Sequence, residues 1–195
     1  MGQSPGVKAV VNGLLQEWSG PLVVDADGLN AIVGDLERFS KRPSPTVISP
    51  HPGEFSRLCG LSIADIQAHR EEVAVEFARR HRVVVILKGH QSVITDGARV
   101  GINETGNPGM ATGGSGDVLT GLLAALLAQE MEAFDAARLA AHLHGLAGDI
   151  GADRYSPVSL IASDLLQAIP EAWMRLESQW RTATHERRGR LNPPR

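Results

Sequence analysis

Apolar residues at Val7, Val10, Val11, Leu14 and Leu15 keep the i, i+3, i+4 spacing of a helix with one buried face, which predicts a helix over residues 7–18. Pro21 then leads into LVVDAD, whose β-branched run is typical of a buried parallel strand. A helix is expected over 28–39, stopped by Pro43 and Pro45, and TVIS at 46–49 is the next strand. PHPGE at 50–54 turns the chain into another helix carrying FSRLCG. Ser62 has the character of an N-cap for a long helix over 63–81, with Ile66, Val73, Phe77 and Ala78 as its apolar positions. VVVILKG is the strongest strand pattern in the chain. SVITDG and ARVGIN then predict a hairpin turned at Asp96 and Gly97. A glycine-rich loop follows, and three helices are predicted over 118–129, 133–151 and 162–179.

Strand, helix, strand, helix, strand in succession predicts an α/β fold, a mostly parallel sheet with helices on both faces. No repeat or low-complexity linker divides it, so one domain over 1–180 is expected. Ligands of such sheets bind at the carboxyl ends of the strands. That rule gathers four segments on one rim: 25–30, 49–54, 88–92 and the glycine loop. Each is polar or glycine-rich directly after an apolar strand.

Composition adds limits rather than direction. With 43% hydrophobic and 21% charged residues, 195 residues can bury a good core. The formal charge of −3 argues against a general nucleic-acid binder. From Arg181 onward five Arg and one Glu give +4, leaving −7 for the rest, and this basic tail over 181–195 is expected to be solvated and disordered. Cys59 is the only cysteine, which suits a reducing, cytoplasmic setting and reads as an inert thiol. The longest apolar run, 122–128, is too short to cross a bilayer.

The stretch NETGNPGMATGGSGDVLTGLLAALLA, 103–128, carries the chemistry. Its glycines let backbone approach a ligand closely, and the loop feeds the N-terminus of an apolar helix. Free N–H groups and the helix dipole there favour an anion such as phosphate. No Lys-Ser or Lys-Thr follows the glycines, so this is not a P-loop, and Leu119 stands where G-x-G-x-x-G needs its third glycine. Asp117 at the junction is either a helix cap or a general base beside the phosphate; the residues alone leave both open. His142 and His144 are two apart on a helix and face different ways, so core or polar-face roles are expected rather than joint metal ligation.

In this order, VVDADGLNAI, ISPHPGEFSRLCG, VVVILKGHQSVITDG and GNPGMATGGSGDVLTGLLAALLAQ, extended by LAAHLHGLAGD, resemble the ADP/ATP-dependent NAD(P)H-hydrate dehydratases. These form the carbohydrate-kinase-like domain of the ribokinase-like superfamily, a three-layer fold. The resemblance implies phosphorylation of the hydroxyl on a hydrated nicotinamide ring by ADP or ATP with Mg2+, followed by loss of phosphate. It implies that Asp117 is the base and also contacts the hydrated NADH or NADPH. His51 and Gly2 would touch the same substrate. Lys88, Gly89, His90, Gln91 and Ser92 would hold the adenine nucleotide, and Gly113, Gly114 and Gly116 its phosphates, with Asn107 beside them. Glu54 and Asn107 would organise magnesium, with no dedicated metal cage. Asp25, Asp27 and Asn30 would shape the substrate side or serve as caps and turns. A homo-oligomer and an NAD(P)H-hydrate epimerase as functional partner are further implications, with no nucleic-acid or membrane partner.

Met1, Gly2 and Gln3 resemble the tail of the family's GPGxG loop, so an N-terminally incomplete fold with an unpaired sheet edge is expected. Two other readings stand beside the dehydratase. One is a small-molecule kinase on the same fold, of the hydroxymethylpyrimidine or thiazole type. The other is a truncated remnant that binds nucleotide weakly.

Overall fold

A computed structural model describes Gly2 and residues 4–191, with side chains as far as 182. The order of elements follows the hydrophobic pattern closely. Helix α1 (Pro5–Glu17) begins where Ser4 Oγ accepts from Val7 N and Pro5 takes the first turn; it buries Val11 and Leu15. Its buried stripe is narrower than expected, since Val10 and Leu14 stay exposed. Strand β1 (Leu22–Val24) follows. The single helix expected next is two, α2 (Asp27–Ile32) and α3 (Glu37–Ser40), with Gly34 at φ +91 between them. After β2 (Thr46–Ile48), helix α4 (Pro52–Cys59) ends on Gly60 in the left-handed region. The long helix is also divided: α5 (Ile63–Ala68), capped by Ser62, and α6 (Arg70–His81) meet at His69, whose φ of −134 is not helical.

Strands β3 (Val84–Leu87), β4 (Ser92–Thr95) and β5 (Val100–Asn103) complete a sheet of order β1-β2-β3-β4-β5. Pairs β1-β2 and β2-β3 are parallel; β3-β4 and β4-β5 are antiparallel. The sheet is therefore mixed rather than mostly parallel. The reason is length: only residues 88–91 join β3 to β4, and a parallel return needs a crossover of a dozen residues or more. The β4-β5 turn is where Asp96 and Gly97 predict it, with Asp96 Oδ1 accepting from Ala98 and Arg99 and Gly97 at φ +89.

Helices α7 (Ser115–Ala128), α8 (Ala133–Tyr155) and α9 (Ala162–Leu191) close the fold. Helix α9 runs past 179 through much of the basic tail; the tail's side chains from 183 and residues 192–195 lie outside the described residues. Alternation along the strands assigns the two faces. Val24, Ile48, Val85 and Leu87 pack with α1 to α6, while Val47, Val84 and Ile86 pack with α7 and α8. Three layers result. The same alternation continues past the strand ends, so Asp25, Ser49 and Lys88 fall on the α7 face.

Candidate active site

The polar residues that follow β1 and β3 meet under the first turn of α7. Lys88 Nζ donates to both Asp25 oxygens, at 2.9 and 3.2 Å, and lies 3.8 Å from Glu54 Oε2. Thr120 Oγ1, one turn into α7, donates to Asp25 Oδ2 at 3.3 Å. Both carboxylates are nearly buried, at 9% and 8% exposure, so the cation between them satisfies charge that water cannot reach. A Cβ on Gly116 would lie 3.3 Å from Asp25 Oδ2 and 3.6 Å from Lys88 Nζ, so this glycine lets the helix end sit on the ion pair. Ser49 Oγ, one residue past β2 and between them, is fully buried with no hydrogen-bond partner among the described residues.

The α4 end of the rim is built by a capping box. His51 Nδ1 accepts from Gly53 N and Glu54 N, and Glu54 Oε2 accepts from His51 N at 2.8 Å. Half of the His51 side chain stays exposed, with Nε2 toward Glu54 and solvent. On the same rim Gly2 N donates to Asp27 Oδ2 at 2.7 Å, and that backbone bond holds the Asp27 carboxyl below the usual carboxylate range.

The turn Lys88–Ser92 closes on itself, with Gly89 N and Ser92 Oγ 3.3 Å apart and Gly89 O accepting from Ser92 Oγ. Gly89, His90 and Gln91 are exposed on the rim. Arg70 from α6 braces this turn from behind, donating to Leu87 O at 2.8 Å and to Lys88 O at 3.4 Å. Its guanidinium fills the space where a side chain at position 89 would be, and burial lowers its pKa.

Asp117 is the third residue of α7, exposed, and accepts no hydrogen bond from a described group. The N-cap is Gly114, at φ +87, with no side-chain cap bond. Asp117 therefore does not cap the helix, which removes one of the two readings the residues left open. Gly113, Gly114 and Gly116 place backbone rather than side chains around this end. The Asn107 amide shapes the loop: its Oδ1 accepts from Gly109 N and its Nδ2 donates to Asp149 Oδ1.

Helix α8 holds the loop, a contribution that reading the sequence missed. Asp149 Oδ2 accepts from Gly106 N at 2.9 Å, and His142 O accepts from Thr105 Oγ1 at 2.9 Å. Thr105 lies against Gly145 and Met110 against Gly148, each closer than a Cβ would permit. Three glycines spaced by three inside an Ala/Leu helix were the available signal, since glycine there is costly without a close approach. His144 Nε2 donates to Ser115 O at 2.9 Å and lies 3.3 Å from Ser115 Oγ. Burial, helped by the nearby Lys88 charge, lowers its pKa from 6.5 to about 4. His142 instead lines a groove of about 460 Å3 beside Asn103, Glu104, Thr105 and Arg138, so the two histidines serve different places. Among the described residues no three His, Cys, Asp or Glu side chains come together as a metal cage.

Residues 1–171 match the family model described as NAD(P)H-hydrate dehydratase. The bifunctional NAD(P)H-hydrate repair enzyme of Moorella thermoacetica is 44% identical over 184 residues, which are 93% of this chain and 34% of that enzyme. The ADP/ATP-dependent NAD(P)H-hydrate dehydratase of Bacillus subtilis, co-crystallised with ATP and Mg2+, superposes with a TM-score of 0.80 at 33% identity. It covers 90% of this chain, which in turn covers 61% of it. A ribokinase-like superfamily protein of Enterococcus faecalis gives a TM-score of 0.75 at 26% identity, covering 90% of this chain and 60% of its own. The chain thus spans about a third of the bifunctional relative and about three fifths of the solved ones. Its fold is ribokinase-like, and it belongs to the NAD(P)H-hydrate dehydratase family.

Proposed function

We propose that this chain carries the site for nucleotide-dependent dehydration of hydrated NADH and NADPH. The observation that carries the reading is Asp117: a carboxylate with no described partner, in the first turn of a helix whose N-cap is a glycine. Such a helix end supplies backbone donors to phosphate, with Gly116 N as the donor beside the base. The hydroxyl of the hydrated ring gives its proton to Asp117 as its oxygen takes the phosphoryl group of ADP or ATP. The C–O bond then breaks with phosphate as the leaving group, and loss of a ring proton restores the double bond. Positioning and charge do the work, with no covalent enzyme intermediate.

His51 and Gly2 contact the dinucleotide, on the rim where Asp27 and the HPGE turn lie. Gly89 to Ser92 contact the adenine nucleotide through an exposed turn. Lys88 sits below this surface, held by Asp25 and Glu54, so it acts on the phosphates by its charge. Magnesium, which neutralises polyphosphate charge when bound, needs only one or two protein carboxylates, and Asp25 and Glu54 supply oxygen donors of the right kind. Asn107 serves the loop's shape. An epimerase as functional partner, a homo-oligomeric state and a cytoplasmic location belong to the same proposal; among the described residues no helix is long and apolar enough to cross a membrane.

The test is to mix purified protein with hydrated NADH and either ATP or ADP and to follow the return of NADH absorbance. Asp117→Asn should retain nucleotide affinity and lose turnover. Normal turnover in that variant would remove Asp117 as the base.

A further inference from the structure

We propose that His144 is a positioning residue of the anion hole, holding by its Nε2–H the peptide group whose other end is the Gly116 N–H. The Ser115 carbonyl and the Gly116 N–H belong to one planar peptide unit. A bond that fixes the carbonyl therefore fixes the direction of the donor. His144 Nε2 lies 2.9 Å from Ser115 O, and a carbonyl only accepts, so Nε2 carries the proton. Polarisation of the amide by this bond strengthens its N–H as a donor on the far side.

Backbone bonds hold part of the turn, with Gly114 O accepting from Asp117 N at 3.1 Å and from Val118 N at 3.2 Å. Gly113, Gly114 and Gly116 have no side chains, Gly114 forms no cap bond, and the Asp117 carboxylate has no described partner. Ser115 N donates to Thr112 O, at 3.3 Å, within the same loop. The side-chain anchor comes from outside, and α8 provides it from a rigid base: twelve of its 23 residues are buried. Asp149 of the same helix holds the other end of the loop through Gly106 N. The imidazole is neutral at working pH because burial lowers its pKa to about 4, so it adds orientation without adding charge.

This inference rests on the phosphate-binding reading of the loop, and its test separates the two. Affinities for ADP, ATP and adenosine are measured by calorimetry in the wild type, His144→Leu and His144→Gln. The Leu variant is expected to lose about tenfold in ADP and ATP affinity, the scale of one hydrogen bond, with adenosine affinity unchanged. Gln, which presents an N–H donor, is expected to recover most of the loss. Equal losses for adenosine and ADP would mean a general packing role and overturn the proposal, as would an unchanged ADP affinity. If His144→Leu does not fold, nitrogen NMR of the wild type decides: the Nε2–H tautomer near pH 7 is expected, and the Nδ1–H tautomer would overturn it. A wild type that shows this phosphate-specific pattern but does not regenerate NADH refutes the dehydratase reading and leaves the role of His144 standing. A wild type that binds neither nucleotide removes the anion hole, and this proposal with it.

Discussion

His144→Gln removes an imidazole that burial keeps neutral well into the acid range. In the folded protein the ring takes up a proton near pH 4; in the unfolded chain it does so near 6.5. The folded state therefore disfavours the charged form. Stability from this group is complete above about pH 6.5 and is lost as pH falls toward 4, because the unfolded state binds the proton first. The displacement corresponds to about 3 kcal/mol at pH 4, a large fraction of the 5–15 kcal/mol typical of a domain. Desolvation is the main cause, Lys88 adds to it, and the bond to Ser115 O opposes it. Urea unfolding of wild type and His144→Gln at pH 7 and pH 4 measures the effect as a change in the gap between the two. Other groups titrate equally in both proteins and cancel. The wild type should lose about 3 kcal/mol more than the variant over that range. A gap constant to within about 0.5 kcal/mol would show that the ring is not held neutral, and the burial argument would fail.

Gly145→Ala should lower the thermal midpoint by several degrees, since its Cβ would lie 2.6 Å from the Thr105 backbone and overpacking costs about 1–3 kcal/mol; an unchanged midpoint would mean that α8 does not seat the loop so closely. Gly116→Ala has ordinary φ but its methyl would meet Asp25 Oδ2 at a tight 3.3 Å, so it should fold with the ion pair slightly displaced and bind ADP more weakly; equal ADP affinity, read by calorimetry, would place the phosphate elsewhere. Arg42 donates to Leu14 O, Leu15 O, Trp18 O, Gly20 O and Thr46 Oγ1, tying the end of α1 to β2. Arg42→Met should destabilise by roughly 2–4 kcal/mol in chemical unfolding, because several carbonyls lose their donor; a loss under about 0.5 kcal/mol would mean water replaces it.

Local chemistry written into the chain determined which segments become strands and helices and which loops carry reactive groups. The β-branched runs at 22–24, 46–48 and 84–87, the Asp96–Gly97 turn and the Ser4 and Ser62 caps all act within a few residues, so the sequence discloses them. The glycine loop was legible for the same reason: glycine spacing before an apolar helix has a local cause. Breaks inside helices were less so, since Gly34 and His69 interrupt patterns whose apolar spacing runs on through them. Whatever joins residues distant in the chain had to wait for the tertiary structure. Nothing in the sequence around Lys88 signals that Asp25, 63 residues away, holds its ammonium. Only the folded helix end showed that its N-cap is Gly114, with no side-chain cap bond from Asp117. His144 read as a core or polar-face residue, and only the packing of α8 against the loop brought its Nε2 to the Ser115 carbonyl, 29 residues away in sequence. A strand or turn is fixed by backbone preferences its own residues express, whereas an ion pair or a brace depends on which faces the folded sheet brings together.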